Sequence, residues 1–388
     1  MLNCFFWYAA IWIFILILYS FNITSFNQPL DKTLLIFILI TTIISIIFGI
    51  IFRNKFKGDF SYGYKISNLK IKLIIIGFFI NFAYSKSIPF LSIVFLKNRI
   101  YGEFEGIPLF FVFLVAYSEY SALKYFYSAL CNKYNRKKNI RNYLLILLMF
   151  LLCYFRSMIV INVFMAMLLL MGYLKNKNTI KIKHLRYMLV GIIILCYFYG
   201  GIGNMRQGFT WNDNHYIQNL GLYTSYPKYL PKQFMWTYSY LTSPLANLNY
   251  NVINTTPNYN INSIISATLP STISKRLFNV HNANILLIRD YFNANTGWCN
   301  IYAAGGINAM YFLYFYMVAL TLISLKMFNY KKNKKNKVLF SAILCIVYIF
   351  MFFYNTLAYV GISLLFWISF FSLVPKLYVG NKKEIKYI

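Results

Sequence analysis

What most restricts this chain is a succession of ten long apolar runs, at 4–21, 33–52, 71–93, 108–130, 142–156, 158–173, 187–203, 300–325, 338–356 and 358–375. A helix needs about 20 apolar residues to cross the hydrocarbon core of a bilayer. Hydrophobic residues fill 60% of the 388 positions and charged ones 12%, with a mean hydropathy of +0.56. A soluble chain of this size needs more charge on its surface, so the solvent for much of it is lipid. The pattern predicts an all-α polytopic membrane protein with one transmembrane helix per run. The first run lacks a basic n-region and a small-residue cleavage site, and is expected to be a retained span rather than a signal peptide.

The formal net charge of +30 could point to nucleic acid. Nucleic-acid binders, however, carry their cations on a folded soluble face. Here they stand in short clusters between apolar runs, so nucleic acid is excluded as a partner. The six cysteines fall in or beside apolar runs, with neither metal spacing nor a disulfide framework, and read as small hydrophobes.

Segments 53–72, 131–141, 174–186, 326–337 and 376–388 together hold 26 of the 38 Lys and Arg residues. Cytoplasmic loops carry such an excess. That places these segments, and both termini, in the cytoplasm. Segment 204–299 then faces outward and divides the chain into membrane helices 1–203, a large outer loop 204–299 and membrane helices 300–388.

Outside or near the outer face stand Asp31, Glu103, Glu105, Asp213, Asp290, His215 and His281. No D-x-D, H-E-x-x-H or G-x-S-x-G occurs, which argues against metal hydrolysis, a serine triad and a metal-chelated nucleotide sugar. The pair in "EFEG" (103–106) reads more simply as a solvated turn than as a metal site. What the outer half does hold is arginine at membrane level: Arg156 in "CYFRSMIV", Arg206 in "GGIGNMRQG", and Arg276 and Arg289 near the end of the outer loop. A guanidinium matches phosphate oxygens bidentately and stays charged in dry surroundings, so the set suits a lipid-linked pyrophosphate. Singly, each would equally serve as an interface anchor. The glycines before Arg206 are expected to end the helix and let backbone approach a ligand.

The outer loop contains 16 Asn, 9 Tyr and 3 Trp, residues suited to sugar hydroxyls and faces. Within it, 231–252 is expected to lie on the membrane surface as a short helix. Lys86 and Glu119, in the third and fourth runs, are expected to pair, or else to line a proton or substrate route. Gly305–Gly306 is expected to permit close helix approach.

Five stretches, "KSIPFL…YGEFEGIPLFF" (86–111), "CYFRSMIVINVFMAMLLLMGYL" (153–174), "GGIGNMRQG" (200–208), "YLTSPLANLNYNV" (240–252) and "NTGWCNIYAAGGINAMYFLY" (295–314), together with the layout, carry a resemblance. The chain resembles the O-antigen polymerases, the Wzy-type polymerases of bacterial surface polysaccharide, and more distantly the O-antigen ligases. It departs from them where Ala304–Gly305 replaces an acidic residue often found at the start of the span after the long loop.

The resemblance implies a GT-C-like fold in the bacterial inner membrane. It implies an inverting, metal-independent glycosyl transfer with no cofactor, at the outer face. A growing glycan leaves its undecaprenyl pyrophosphate and joins a new lipid-linked repeat unit. A flippase and a chain-length regulator are the implied partners. Arg206 and Arg289 would then hold the donor pyrophosphate, with Arg156 and Arg276 assisting at the lipid headgroup. His281 is the preferred base for the acceptor hydroxyl, with Asp290 as runner-up. A ligase would use the same donor with lipid A core as acceptor. A flippase would show repeated halves and short loops on both sides.

Overall fold

Nine of the ten apolar runs form one helix each, while the run 71–93, expected to be a single span, breaks at Lys86 into two. The computed structural model describes residues 2–61, 63–95, 104, 106–179, 182–278, 285–328 and 334–374; the side chains of some helical residues, Arg156 and Arg206 among them, lie outside that description. In chain order the helices are α1 (Cys4–Ser20), α2 (Lys32–Ile51), α3 (Asn68–Ser85), α4 (Pro89–Phe95), α5 (Phe110–Cys131), α6 (Arg136–Leu152), α7 (Arg156–Asn176) and α8 (Ile182–Arg206). The outer segment adds α9 (His215–Leu220), α10 (Phe234–Asn254), α11 (Ile261–Ser266) and α12 (Ser271–Leu277), and α13 (Cys299–Met327), α14 (Lys334–Phe350) and α15 (Val360–Phe371) follow. Among the described residues the β-structure amounts to one antiparallel bridge, Thr24 to Tyr223.

Among the described residues, four helices are long and apolar enough to cross a membrane: α2, α3, most of α7 (from Ser157) and α13; four shorter stretches, in α1, α8, α14 and α15, are also apolar. Large apolar side chains stand exposed along whole faces, as at Ile36, Leu39, Ile43, Ile47 and Ile50 of α2. Water does not tolerate patches of that extent. This is the surface of a membrane-embedded helical protein.

The loops sort to two ends of the bundle by their contacts. At one end Ser25 N–H donates to the Leu222 carbonyl (3.0 Å), Gly297 N–H to Met351 (2.8 Å) and Ser271 N–H to Ala358 (2.9 Å). This gathers 22–31, 207–278, 285–298 and 351–359. At the opposite end the Tyr127 hydroxyl donates to the Asp59 carbonyl (3.0 Å), Tyr64 to Asn336 (2.6 Å), and Asn336 to the Ser372 carbonyl (2.8 Å). The segment after α2, the start of α14 and the end of α15 therefore share one end, which holds the described lysines of segment 53–72. The core between the ends is aromatic, with Phe5, Tyr8, Trp12, Phe37, Trp298, Tyr314 and Tyr348 fully buried.

Three expectations need correction. Residues 231–252 do not lie on a surface: α10 is a 21-residue helix whose Trp236, Ser239, Thr242, Asn247 and Asn251 are buried, and it packs on α8, α1 and α13. Lys86 and Glu119 are not an ion pair. Lys86 is exposed at the left-handed C-cap of α3 (φ 51°), while Glu119 is fully buried and accepts from Asn162 Nδ2 at 3.3 Å. Gly305–Gly306 does permit close approach, but by breaking the helix: Gly306 adopts φ 68° inside α13. The carbonyls of Ala303 and Ala304 accept instead from the backbone N–H of Asn258 (3.0 Å) and Asn260 (2.9 Å). Left unpartnered, such groups would be costly at this depth.

Candidate functional site

The three glycines before Arg206 in "GGIGNMRQG" lie within α8 rather than at its end, and they receive other parts of the chain rather than a ligand. A Cβ at Gly200 would stand 2.0 Å from the Gln233 carbonyl oxygen, one at Gly201 would meet the Trp211 ring at 2.3 Å, and one at Gly203 the Trp236 ring at 2.8 Å. The helix stops at Arg206. Phe209 N–H then reaches back to the Asn204 carbonyl (3.1 Å) and Gly208 takes φ 87°, a left-handed turn that favours glycine.

Buried Asn204 fixes the turn that follows. Its Nδ2 donates to the Trp211 carbonyl (3.0 Å) and to Asn214 Oδ1 (2.9 Å), and its Oδ1 accepts from the Trp236 indole (2.7 Å). Asn214 donates onward to the Asn212 carbonyl (2.8 Å), and Gln233 to the Asn212 side chain (3.0 Å). Each buried amide is thereby spent on holding backbone.

Two open pockets flank this turn. Phe209, His215, Tyr216, Leu220, Arg289 and Tyr291 line one of about 490 Å³. Asp213, His215, Gln218 and Lys232 line an adjoining one of about 350 Å³. His215 belongs to both. From Phe209 a file of rings leads inward, Phe209 to Tyr216 (5.7 Å), Tyr216 to Trp236 (6.1 Å), Trp236 to Tyr240 (6.3 Å) and Tyr240 to Phe353 (6.4 Å), the last three pairs stacked.

Of the residues expected to act together, the described part of the structure places Arg289 in the pocket, exposed. Arg206 ends α8 three residues before pocket residue Phe209; its side chain lies outside the description. Arg276 is elsewhere, on α12, donating to the carbonyl of Thr272 one turn back (2.9 Å). Asp290 is exposed beside Arg289 in sequence but lines neither pocket. Arg156 opens α7, its side chain outside the description, and His281, Glu103 and Glu105 lie outside the described residues.

Comparison with protein families, with curated proteins and with solved structures finds no match. The chemistry of the pocket therefore rests on its own residues. Arg289 offers a planar five-donor fork to an anion. His215 offers an imidazole, whose ring nitrogens can donate or accept a hydrogen bond. Phe209, Tyr216 and Tyr291 offer ring faces of the kind that stack on sugar C–H groups or isoprenoid. The sequence shows His215 nine residues after Arg206, yet nothing in its spacing distinguishes it from His281; only the fold brings it to the pocket that Arg289 also lines.

Three asparagines of α10 spend their side chains on backbone. Asn247 donates to the carbonyls of Phe292 (2.7 Å) and Ala294 (2.9 Å) and accepts from Ile288 N–H (3.0 Å). Asn251 donates to the Leu286 carbonyl (2.7 Å) and accepts from its N–H (3.0 Å). Asn249 does the same for Pro29 (3.1 Å) and Asp31 (2.8 Å). These three side chains bind strand-like backbone to α10, and the first two carry Arg289 to the pocket.

Proposed function

We propose that the chain is a glycosyltransferase that polymerises undecaprenyl-pyrophosphate-linked oligosaccharide repeat units into O-antigen or a related surface polysaccharide. It acts at the outer, periplasmic face of the bacterial inner membrane, as a GT-C-like protein with ten spans and both termini in the cytoplasm. The observation that supports this reading best is the pocket lined by Arg289, His215 and three aromatic rings, directly after the helix that ends in Arg206.

Pyrophosphate is already an adequate leaving group. The chief need is positive charge where negative charge develops on it, which Arg289 and Arg206 supply. The acceptor hydroxyl must be held in line and lose its proton to a neighbouring base. With His281 outside the described residues, His215 is the imidazole that lines the same pocket as Arg289.

The reading is tested by the surface polysaccharide of a strain lacking the gene, run on a gel beside strains complemented with the native chain or with Arg289→Gln. A ladder that collapses to core carrying one repeat unit, restored by the native chain and reduced roughly a hundredfold with Arg289→Gln, is the expected outcome. Bare core with polymer stranded on the carrier would make the chain a ligase. Bare core with repeat units trapped inside would make it a flippase.

A further inference from the structure

At the lysine-rich end, a pocket of about 380 Å³ opens between the start of α1, the turn after α2 and the last turn of α7. Its charged lining is Arg53, Lys57 and Lys175, and no acidic side chain is among its lining residues. Asp59, the nearest acid in sequence, turns its carboxylate to the Ser61 amide (2.9 Å) and hydroxyl. Its apolar lining includes Leu2, Phe56 and Phe60, all buried, and Phe6, 38% exposed.

This apolar part is held rigidly. Phe6 lies across Gly49, where a Cβ would stand 2.7 Å from the ring. Asn3 fastens α1 to α2 by donating to the Gly49 carbonyl (2.8 Å) while accepting from Phe5 N–H (3.1 Å). Gly172 leaves room against Leu2 and Phe60, both 3.1 Å from where its Cβ would be.

Three cations with no acidic side chain among the lining residues, beside a fixed apolar wall, match a ligand that carries both a negative head and a hydrocarbon body. A free phosphate would use the cations and leave Phe6 idle; a zwitterionic lipid would bring its own cation against Arg53 and Lys57. We propose that this pocket seats one anionic phospholipid, its phosphate between Arg53, Lys57 and Lys175 and its acyl chain against Phe6 and Leu2. Basic pockets between membrane helices are suited to anionic headgroups, each cation adding to the attraction. The site is independent of the reaction at the other end.

The test uses the purified full chain in phosphatidylcholine nanodiscs, titrated with phosphatidylglycerol and followed by native mass spectrometry for retained lipid. One phosphatidylglycerol is expected to bind more tightly than the rest. Combined Arg53→Gln, Lys57→Gln and Lys175→Gln should weaken it about a hundredfold. Combined Lys65→Gln, Lys133→Gln and Arg136→Gln, which removes the same charge from exposed positions at the same end, should leave it unchanged. Equal weakening by both triple variants would mean diffuse surface charge and overturn the proposal. So would equal retention of phosphatidylcholine, or equal competition by soluble glycerol phosphate. If the first triple variant does not fold, Lys57→Gln alone should still weaken that lipid severalfold, and no change would overturn the proposal.

Discussion

Helices α8 and α10 pack against one another, yet they treat their side chains in opposite ways. α8 exposes Leu189, Ile192, Ile193, Leu195, Phe198 and Ile202, while α10 buries Ser239, Thr242, Asn247, Asn249 and Asn251. Where lipid is the solvent, an apolar face gains nothing by turning inward, and contacts between helices come from close approach and hydrogen bonds. Glycines do this for α8 and amides for α10. Burial in this molecule follows partnership rather than apolarity.

The strongest way to break that pairing is Gly201→Leu. The new side chain would occupy the place of the Trp211 ring and force α8 away from the outer turn. A loss of about 3 kcal/mol or more is expected, read as a fall in the thermal midpoint of the purified chain together with loss of activity. Unchanged melting would mean that α8 is not seated through its glycines.

The two helices also differ in how much the sequence reveals of them. α8 is legible as a span because the run 187–203 meets the length and apolarity that lipid requires. α10 is not, since Asn247, Asn249 and Asn251 suggest exposure until their partners at 285–295 and 29–31 are known. The break at Gly305–Gly306 was hidden in the same way: two glycines show permission, while the N–H groups of Asn258 and Asn260 show use. In the candidate site, Arg289 was recognisable as an arginine at the right depth. Its sharing of a pocket with His215, 74 residues earlier by position number, depends on long-range clamps that no local pattern encodes.

Next in size comes Asn247→Leu, which keeps the volume and removes three hydrogen bonds to backbone. About 2 to 3 kcal/mol is expected, because the orphaned groups at Ile288, Phe292 and Ala294 carry the desolvation penalty. Activity should fall with it, since the same segment presents Arg289. A variant that melts normally would show that water replaces the amide without cost.

The opposite exchange sharpens the contrast. Leu195→Asn on α8, at a position 63% exposed, should destabilise the chain in bilayers by roughly 1 to 2 kcal/mol, although it touches no core. Leu195→Phe should change nothing measurable. Equal melting of the two variants would mean that water rather than lipid covers this face.

The smallest effect concerns the anchorage of α10 to α2. Asp31 caps α2 by accepting from Thr33 N–H (2.8 Å) and Leu34 N–H (3.3 Å), and the Thr33 hydroxyl, followed by these amides, holds its carboxyl below the usual carboxylate range. A depressed folded-state pKa contributes stability that is present above the unfolded value near 3.9 and lost as pH falls through the folded value. Asp31→Ala should therefore cost about 0.5 kcal/mol or less at pH 7, and nothing at acid pH below both values. A deficit that persists in acid would assign the effect to the backbone held by Asn249 rather than to the carboxylate.

The amides of α10 bear on how the molecule is made. Asn247 and Asn251 precede their partners by 35 to 47 residues, and Asn355 holds the Ala267 carbonyl across 88. During synthesis α10 therefore emerges before the backbone that will satisfy it, and water must serve those side chains in the interval. The helix waits outside the bundle, as a polar passenger, until 285–295 arrives. Its docking is consequently a late step of biogenesis, and the pocket that carries Arg289 does not exist until translation has passed the start of α13.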